Sequence, residues 1–228
     1  MGVRVKWWGQ AAFHITASDG TRVVTDPYTP ELLGYAPIRD EADLVIRSSH
    51  DDEAHCRSDL IGGDPAVIDA LEVALGPGQA EAKGIRVEAI LAAEGDNRPP
   101  GEIPGQNGMY RWEMDGIRFA HMGDVGNPLT DAQQGFFEGT DVLLALAGGE
   151  LVIDLPDLME MIEFARPRLV IPMHFRTLTY RPRNSLWIES FLSLWDDADV
   201  DFAFDCETVL EAGALPEKTR VLVMDYAR

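Results

Sequence analysis

Short apolar runs with the alternation or near-continuity of strands recur along the whole chain. The first part carries Val3–Trp8, Ala12–Thr16, Thr21–Thr25, Leu44–Ile46 and Ile85–Leu91. The second carries Met109–Trp112, Ile117–Ala120, Val142–Leu146, Arg168–Ile171, Val200–Phe204 and Arg220–Met224. Ser18-Asp19-Gly20 and Asp115-Gly116 separate neighbouring runs and read as hairpin turns, because glycine readily takes the positive φ such turns need. Helical spacing is rarer. It predicts helices over Asp157–Ala165, with Pro156 suited to the first turn and Pro167 just beyond the end, and over Ser185–Trp195. Strand runs crowd the first half and helices the second. The pattern predicts one domain, residues 1–228, of mixed sheets with helices outside. The Pro/Gly-rich stretch Gly95–Gly108 reads as a long functional loop, because the pattern on both sides of it is the same.

A length of 228 residues allows a sizeable core without disulfides or metal to hold it. Hydrophobic residues at 46% and charged residues at 25% are those of a soluble globular protein. The charge changes the picture more. With 39 acidic and 19 basic residues the formal net charge is −20, which argues against nucleic acid or an anionic membrane as a partner. No apolar run reaches the roughly 18–20 residues of a membrane span, and the N-terminus lacks the layout of a signal peptide. Cys56 and Cys206 suggest no disulfide framework. The expectation is a cytoplasmic protein acting on a small molecule.

The five histidines are placed informatively. His50 and His55 stand in SSHDDEAHC, straight after the strand-like ADLVIRS, so one turn offers several nitrogen and oxygen donors. In FAHMGDVG a strand runs into Gly123-Asp124, where the glycine lets the backbone turn Asp124 inward. His174 follows the apolar run Leu169–Ile171 in LVIPMHF. Any one of these, alone, reads as an ordinary turn or core residue. Three strand ends with metal-capable side chains read together as a metal site. Arg176, Arg181 and Arg183 form a conspicuous basic cluster. It reads either as a surface cluster pairing with carboxylates or, through Arg176, as a grip for a substrate anion.

The chain resembles the metallo-β-lactamase-fold hydrolases, closest to the branch of ascorbate-6-phosphate lactonase-like and uncharacterised zinc-dependent hydrolases. The resemblance runs from KWWGQAAFHI and VVTDPY through SSHDDEAH, NGMYRWEMDGIRFAHMGDVG and DVLLALAGGE to PRLVIPMHFRT. It implies an α+β fold, a four-layer αβ/βα sandwich of two mixed β-sheets with helices outside and the metal site in loops along one edge. It also implies one or two divalent ions and a possible homo-oligomer.

The family motif H-x-H-x-D-H falls on residues 50–55. His50, His55, Asp124 and His174 keep the family's ligand, Asp52 and Glu94 replace histidines, and Ala54 replaces the aspartate. The implied metal ligands are His50, Asp52, His55, Glu94, Asp124 and His174. The carboxylate replacements move the first metal position from zinc towards manganese, iron or magnesium. With Ala54 unable to handle a proton, the catalytic base or shuttle falls to Asp52, Glu94 or His121. Asp26 matches a family loop beside the first motif and is expected to help hold it. The implied function is metal-dependent hydrolysis of a small ester, lactone or related acyl or phosphoryl substrate. The altered ligand set leaves open a catalytically degenerate binding module, or a non-hydrolytic manganese or iron enzyme.

Overall fold

Strands account for most of the regular structure, and their order places the strand-end loops named above. The computed structural model describes residues 2–94 and 106–228, so most of the expected Gly95–Gly108 loop lies outside the described residues. In chain order the strands are β1 (Val3–Gly9), β2 (Ala12–Thr16), β3 (Arg22–Thr25), β4 (Leu44–Arg47), β5 (Ala66–Asp69), β6 (Gln79–Ala82) and β7 (Ile85–Ala93). They continue with β8 (Gln106–Met114), β9 (Ile117–His121), β10 (Val142–Leu146), β11 (Leu169–Met173), β12 (Val200–Phe202), β13 (Glu207–Leu210) and β14 (Arg220–Val223). The α-helices are α1 (Pro30–Leu33), α2 (Ala70–Leu75), α3 (Asp131–Phe136), α4 (Leu155–Ala165) and α5 (Ile188–Leu192).

Two mixed sheets result. The smaller has the order β13-β1-β2-β3-β4-β5, and the larger β12-β14-β11-β10-β9-β8-β7-β6. This is the α/β sandwich that the resemblance implied. Among the described strands, β3-β4-β5 in the smaller sheet and β9-β10-β11-β14-β12 in the larger pair in parallel. β10 and β11 are buried along their whole length, as expected of parallel strands flanked on both sides, which is why they read as continuous apolar runs. The central strands of the smaller sheet, β2 to β4, are largely buried on both faces. Trp7, Val23 and Leu44 enter the main core with Trp112, Phe119 and Leu144 of the larger sheet. Their neighbours Trp8, Val24 and Val45 enter a second cluster with Tyr28, Tyr35 and Tyr180.

The hairpin readings agree with the backbone. Asp115 (φ +49°) and Gly116 (φ +74°) both take positive φ between β8 and β9, the requirement of a two-residue type I′ turn. Helix α4 extends the expected Asp157–Ala165 slightly at its start, carries Pro in its first turn and buries Leu158, Met161, Ile162 and Ala165 at helical spacing. The expected helix over Ser185–Trp195 shortens to α5. Ser185 and Leu186 are instead spent on the loop beneath His174, where Leu186 N–H donates to Gly148 O and Arg176 N–H to Leu186 O.

Candidate metal centre

The loops after β3, β4, β9 and β11 all meet at one edge of the sandwich. β3 and β4 are parallel neighbours in the smaller sheet, and β9 and β11 flank β10 in the larger. The carboxyl ends of four strands therefore open onto one cleft, and the cleft lies between the sheets. Into it come His55 from the loop after β4, Asp124 from the turn after β9, and His174 immediately after β11.

These three form a tight group, their potential ligand atoms lying within 4.8 Å of one another. Asp124 Oδ1 lies 3.7 Å from His55 Nε2 and 3.1 Å from His174 Nε2. The two imidazoles face each other, with centroids 5.5 Å apart and planes inclined by 13°. Ligands about 2.0–2.2 Å from a tetrahedral ion sit about 3.3–3.6 Å from one another, so the two distances bracket those around one ion. His55 Nε2 and Asp124 Oδ1 are buried and have no aligned hydrogen-bond partner. Buried polar atoms are rarely left so, and a cation satisfies both. The donor set, two imidazoles and a carboxylate, fits a divalent metal.

Asp26 sets the state of His55. Its carboxylate is fully buried at the end of β3. Oδ1 accepts from Ser48 N–H (2.8 Å) and Tyr110 O–H (3.0 Å); Oδ2 accepts from Ser48 O–H (2.6 Å) and His55 Nδ1–H (2.9 Å). An ionised carboxylate only accepts, so Nδ1 carries a proton and Nε2 is the nitrogen left facing the cleft, where an ion binds by displacing any second proton. Burial pushes the Asp26 carboxyl up, but the charges of His121 and His55 and the hydrogen bonds from His55 and Ser48 outweigh it and hold the group below the ordinary range. Burial likewise opposes charge on His55. Asp124, the Asp26 hydrogen bond and Asp52 overcome it, and the metal-free imidazole is pushed up to about 10. Asp124 is held low because His55 and His174 outweigh its burial.

The backbone is shaped to deliver these groups. Asp26 (φ +36°) and His174 (φ +58°) are non-glycine residues in left-handed conformations, a strain of order 1–3 kcal/mol each that the packing around them must sustain. His174 N–H donates to Gln10 O. Gly148 lies so close that a Cβ there would stand 2.1 Å from His174 O. Gly123 has φ +62°, as the sequence reading of the Asp124 turn required. The buried Asn107 holds the same turn, accepting from Asp124 N–H (2.9 Å) and donating to Met122 O (3.1 Å).

Several expected site residues stand elsewhere. His50 does not join the cluster. Its half-exposed ring points to Asp69, with Nδ1 3.5 Å from Oδ2, an oxygen already 2.9 Å from the Arg47 guanidinium. The cause is local: Asp52 Oδ1 accepts from Ala54 N–H and Asp52 O from His55 N–H, a tight turn that brings His55 inward and leaves His50 outside. Asp52, Ala54 and Glu94 line the cleft, but neither carboxylate enters the three-donor group. His121 is not available to substrate. Its buried Nε2–H donates to Ala11 O, its Nδ1 accepts from Gly123 N–H, and the ring stacks on Tyr110, so it holds the turn that aims Asp124. Arg176 lies over the Trp187 ring, 4.7 Å from its centroid, and is not among the lining residues.

The cleft encloses about 230 Å³. Leu32, Leu33, Leu151 and Pro182 give it an apolar side, and Gln10, Tyr180 and Asn184 an uncharged polar one. Sequence reading missed these, and also Asn107, Ser48 and Tyr110. Only the tyrosine and asparagine of TYRPRN, downstream of His174, carried a hint. A larger concavity, of about 400 Å³, lies around β7–β9 away from the centre; its Arg111 and Arg118 are engaged with Glu88 and Asp141.

Residues 4–174 match the family described as Beta-lactamase superfamily domain, three-quarters of the chain, and the chain belongs to that superfamily. A UPF0173 metal-dependent hydrolase of Alkaliphilus metalliredigens is 25% identical over 198 residues, covering 77% of this chain and 86% of the relative. One from Hyperthermus butylicus is 26% identical over 193 residues, covering 76% and 83%. Among solved structures, a Thermotoga maritima protein described as a Zn-dependent hydrolase of the metallo-β-lactamase superfamily superposes with a TM-score of 0.74 at 27% identity. That match covers 99% of this chain and 100% of the other.

Proposed function

We propose that this member of the β-lactamase superfamily is a metal-dependent hydrolase working with one divalent ion on a small ester, lactone or related acyl or phosphoryl substrate. The observation that carries the reading is the convergence of His55, Asp124 and His174, with His55 Nε2 turned to the cleft by the Asp26 hydrogen bond at Nδ1 and two ligand atoms buried without an aligned hydrogen-bond partner. A divalent ion held there would supply a water that is acidic near neutral pH and a Lewis acid for the bond being cleaved. With His50 turned away, the oxygen-rich first metal position expected from the sequence loses its imidazole. The remaining two nitrogens and one oxygen suit zinc, with room for water and substrate.

The protein's own groups divide the remaining tasks. Asp26 orients His55, and Asn107 with His121 fixes the turn that presents Asp124. Asp52 and Glu94 stand on the cleft wall and are the candidates for moving a proton; both ring nitrogens of His121 are engaged, which removes it from that role. A two-histidine, one-carboxylate set is also that of non-haem iron(II) sites, which favours a non-hydrolytic iron enzyme as the second reading.

Stripping the protein with chelator and reloading it with zinc, manganese or ferrous iron separates these. The proposal expects turnover of a generic ester or lactone to return with one zinc per chain and to vanish in Asp124→Asn. Hydrolysis of no ester, lactone or phosphodiester by any reloaded form would refute it. Uptake of iron alone, with no hydrolysis, would favour the second reading.

A further inference from the structure

Gln10 stands where the backbone resists a side chain. It lies in the turn from β1 into β2 with φ +51°, a left-handed conformation that favours glycine. A long polar side chain occupies the position instead, and the residue is only 2% exposed. Its carboxamide oxygen is buried without an aligned hydrogen-bond partner. The main chain of the same residue is firmly held. Its carbonyl accepts from Trp7 Nε1–H (3.1 Å) and from the N–H of His174 (3.0 Å), which ties it to the metal centre. Gln10 lines the cleft together with His55, Asp124 and His174, and its side chain and that of Ser185 bear on the Tyr180 hydroxyl. Burial raises the Tyr180 pKa above the ordinary 10, so this group is uncharged: a carboxamide and two hydroxyls. A strained backbone that carries a buried polar end, unspent within the chain, marks a residue kept for a ligand.

We infer that Gln10 is a catalytic residue whose amide N–H donates to the acyl oxygen of a small ester or lactone as negative charge gathers there during hydrolysis. The inference rests on the hydrolase reading and deepens it by naming a residue that meets the substrate. A half-turn of the carboxamide exchanges its oxygen and its NH2, so the donor can be presented to the cleft. Because the turn is fixed on His174 before substrate arrives, the donor is placed relative to the metal centre in advance, the condition under which such a hydrogen bond counts most. A carboxamide neither gains nor loses a proton here. In the reaction the water oxygen bonds to the acyl carbon, the acyl C–O bond breaks, and one water proton leaves with the alcohol. The other is released from the carboxylic acid product.

The test uses the zinc-loaded full chain, phenyl acetate as substrate, and trifluoroacetone as a probe whose hydrate copies the tetrahedral adduct without turnover. Two variants remove the donor in different ways. Gln10→Met keeps the length of the side chain, and Gln10→Gly suits the left-handed backbone and should keep Tm close to wild type. In both, kcat should fall about 10²-fold or more, while KM and zinc affinity stay within about threefold of wild type. The probe, followed by fluorine NMR, should bind about tenfold more weakly or worse. A variant that folds, holds zinc and keeps wild-type kcat and probe affinity overturns the inference. So does a loss of zinc affinity large enough to account for the lost rate, which would make Gln10 a support of His174. Unfolding of both variants overturns it too, because the side chain would then be structural. Absence of turnover by wild type counts against the hydrolase reading, and the probe affinities then judge Gln10 separately; a wild type that does not bind the probe overturns the inference.

Discussion

Replacing Asp26 by asparagine tests the link between a buried carboxylate and the metal-binding nitrogen of His55. The substitution keeps shape, and asparagine tolerates left-handed backbone better than most residues, so φ +36° is not an obstacle. The hydrogen bonds dictate how the new amide must sit. Ser48 N–H is a main-chain donor 2.8 Å from Oδ1 and cannot reverse, so the amide carbonyl has to remain there. The NH2 group then occupies the position of Oδ2, facing Ser48 O–H, which can rotate to accept, and His55 Nδ1, which cannot also donate. The imidazole proton moves to Nε2, where the metal should bind.

Binding an ion then requires either turning the amide over and orphaning Ser48 N–H, or losing the His55 hydrogen bond. An unsatisfied buried group costs about 1–3 kcal/mol. That agrees with the roughly 10–100-fold loss of affinity usual when the partner of a metal-bound histidine is removed. Zinc affinity measured at neutral pH by competition with a chromophoric chelator should fall by about that factor, while far-UV circular dichroism stays native. An affinity within about twofold of wild type, with the fold preserved, would refute the reasoning.

Ala54→Asp should place a carboxylate on the cleft wall beside His55 and raise zinc affinity by about tenfold or more in the same competition assay; unchanged or weaker binding would show that residue 54 cannot reach the ion. Asp141 tests the fold itself. Its largely buried carboxylate accepts from the backbone N–H, Nε and Nη2 of Arg118, and these contacts outweigh burial and lower its pKa below the ordinary 3.8. The stabilisation is therefore present above about pH 4 and is lost as pH falls through the lowered folded pKa. Asp141→Asn should cost about 1 kcal/mol near neutrality, where the exposed arginine is screened by water, and should flatten the fall of Tm below pH 4. Parallel Tm–pH curves for the two proteins would contradict this.

How much of this was legible in the sequence depended on the range of the interaction. Strands β10 and β11 stand out because burial on both faces demands an apolar run, and the β8–β9 hairpin because Asp-Gly satisfies its turn. The helices α1, α2 and α3 span 4, 6 and 6 residues, too few turns for a period to emerge, and strand β6 is too polar to signal itself. At the centre, strand ends rich in histidine and aspartate pointed to His55, Asp124 and His174, and VVTDPY pointed to Asp26. His50 was misplaced because motif spacing does not show that Asp52 closes its own turn. His121 was misread because its proton goes to Ala11 O, on a segment 110 positions away. Arg176 looked like an anion grip until the fold placed it over Trp187.

Anomalous diffraction at the zinc edge, from crystals of the zinc-loaded full chain, addresses the metal centre most directly. The account predicts one peak per chain in the cleft, about 2.0–2.2 Å from His55 Nε2, an Asp124 carboxylate oxygen and His174 Nε2, and none at His50. Two peaks in the cleft, a peak bound by His50, or an empty cleft in crystals holding zinc elsewhere would contradict it.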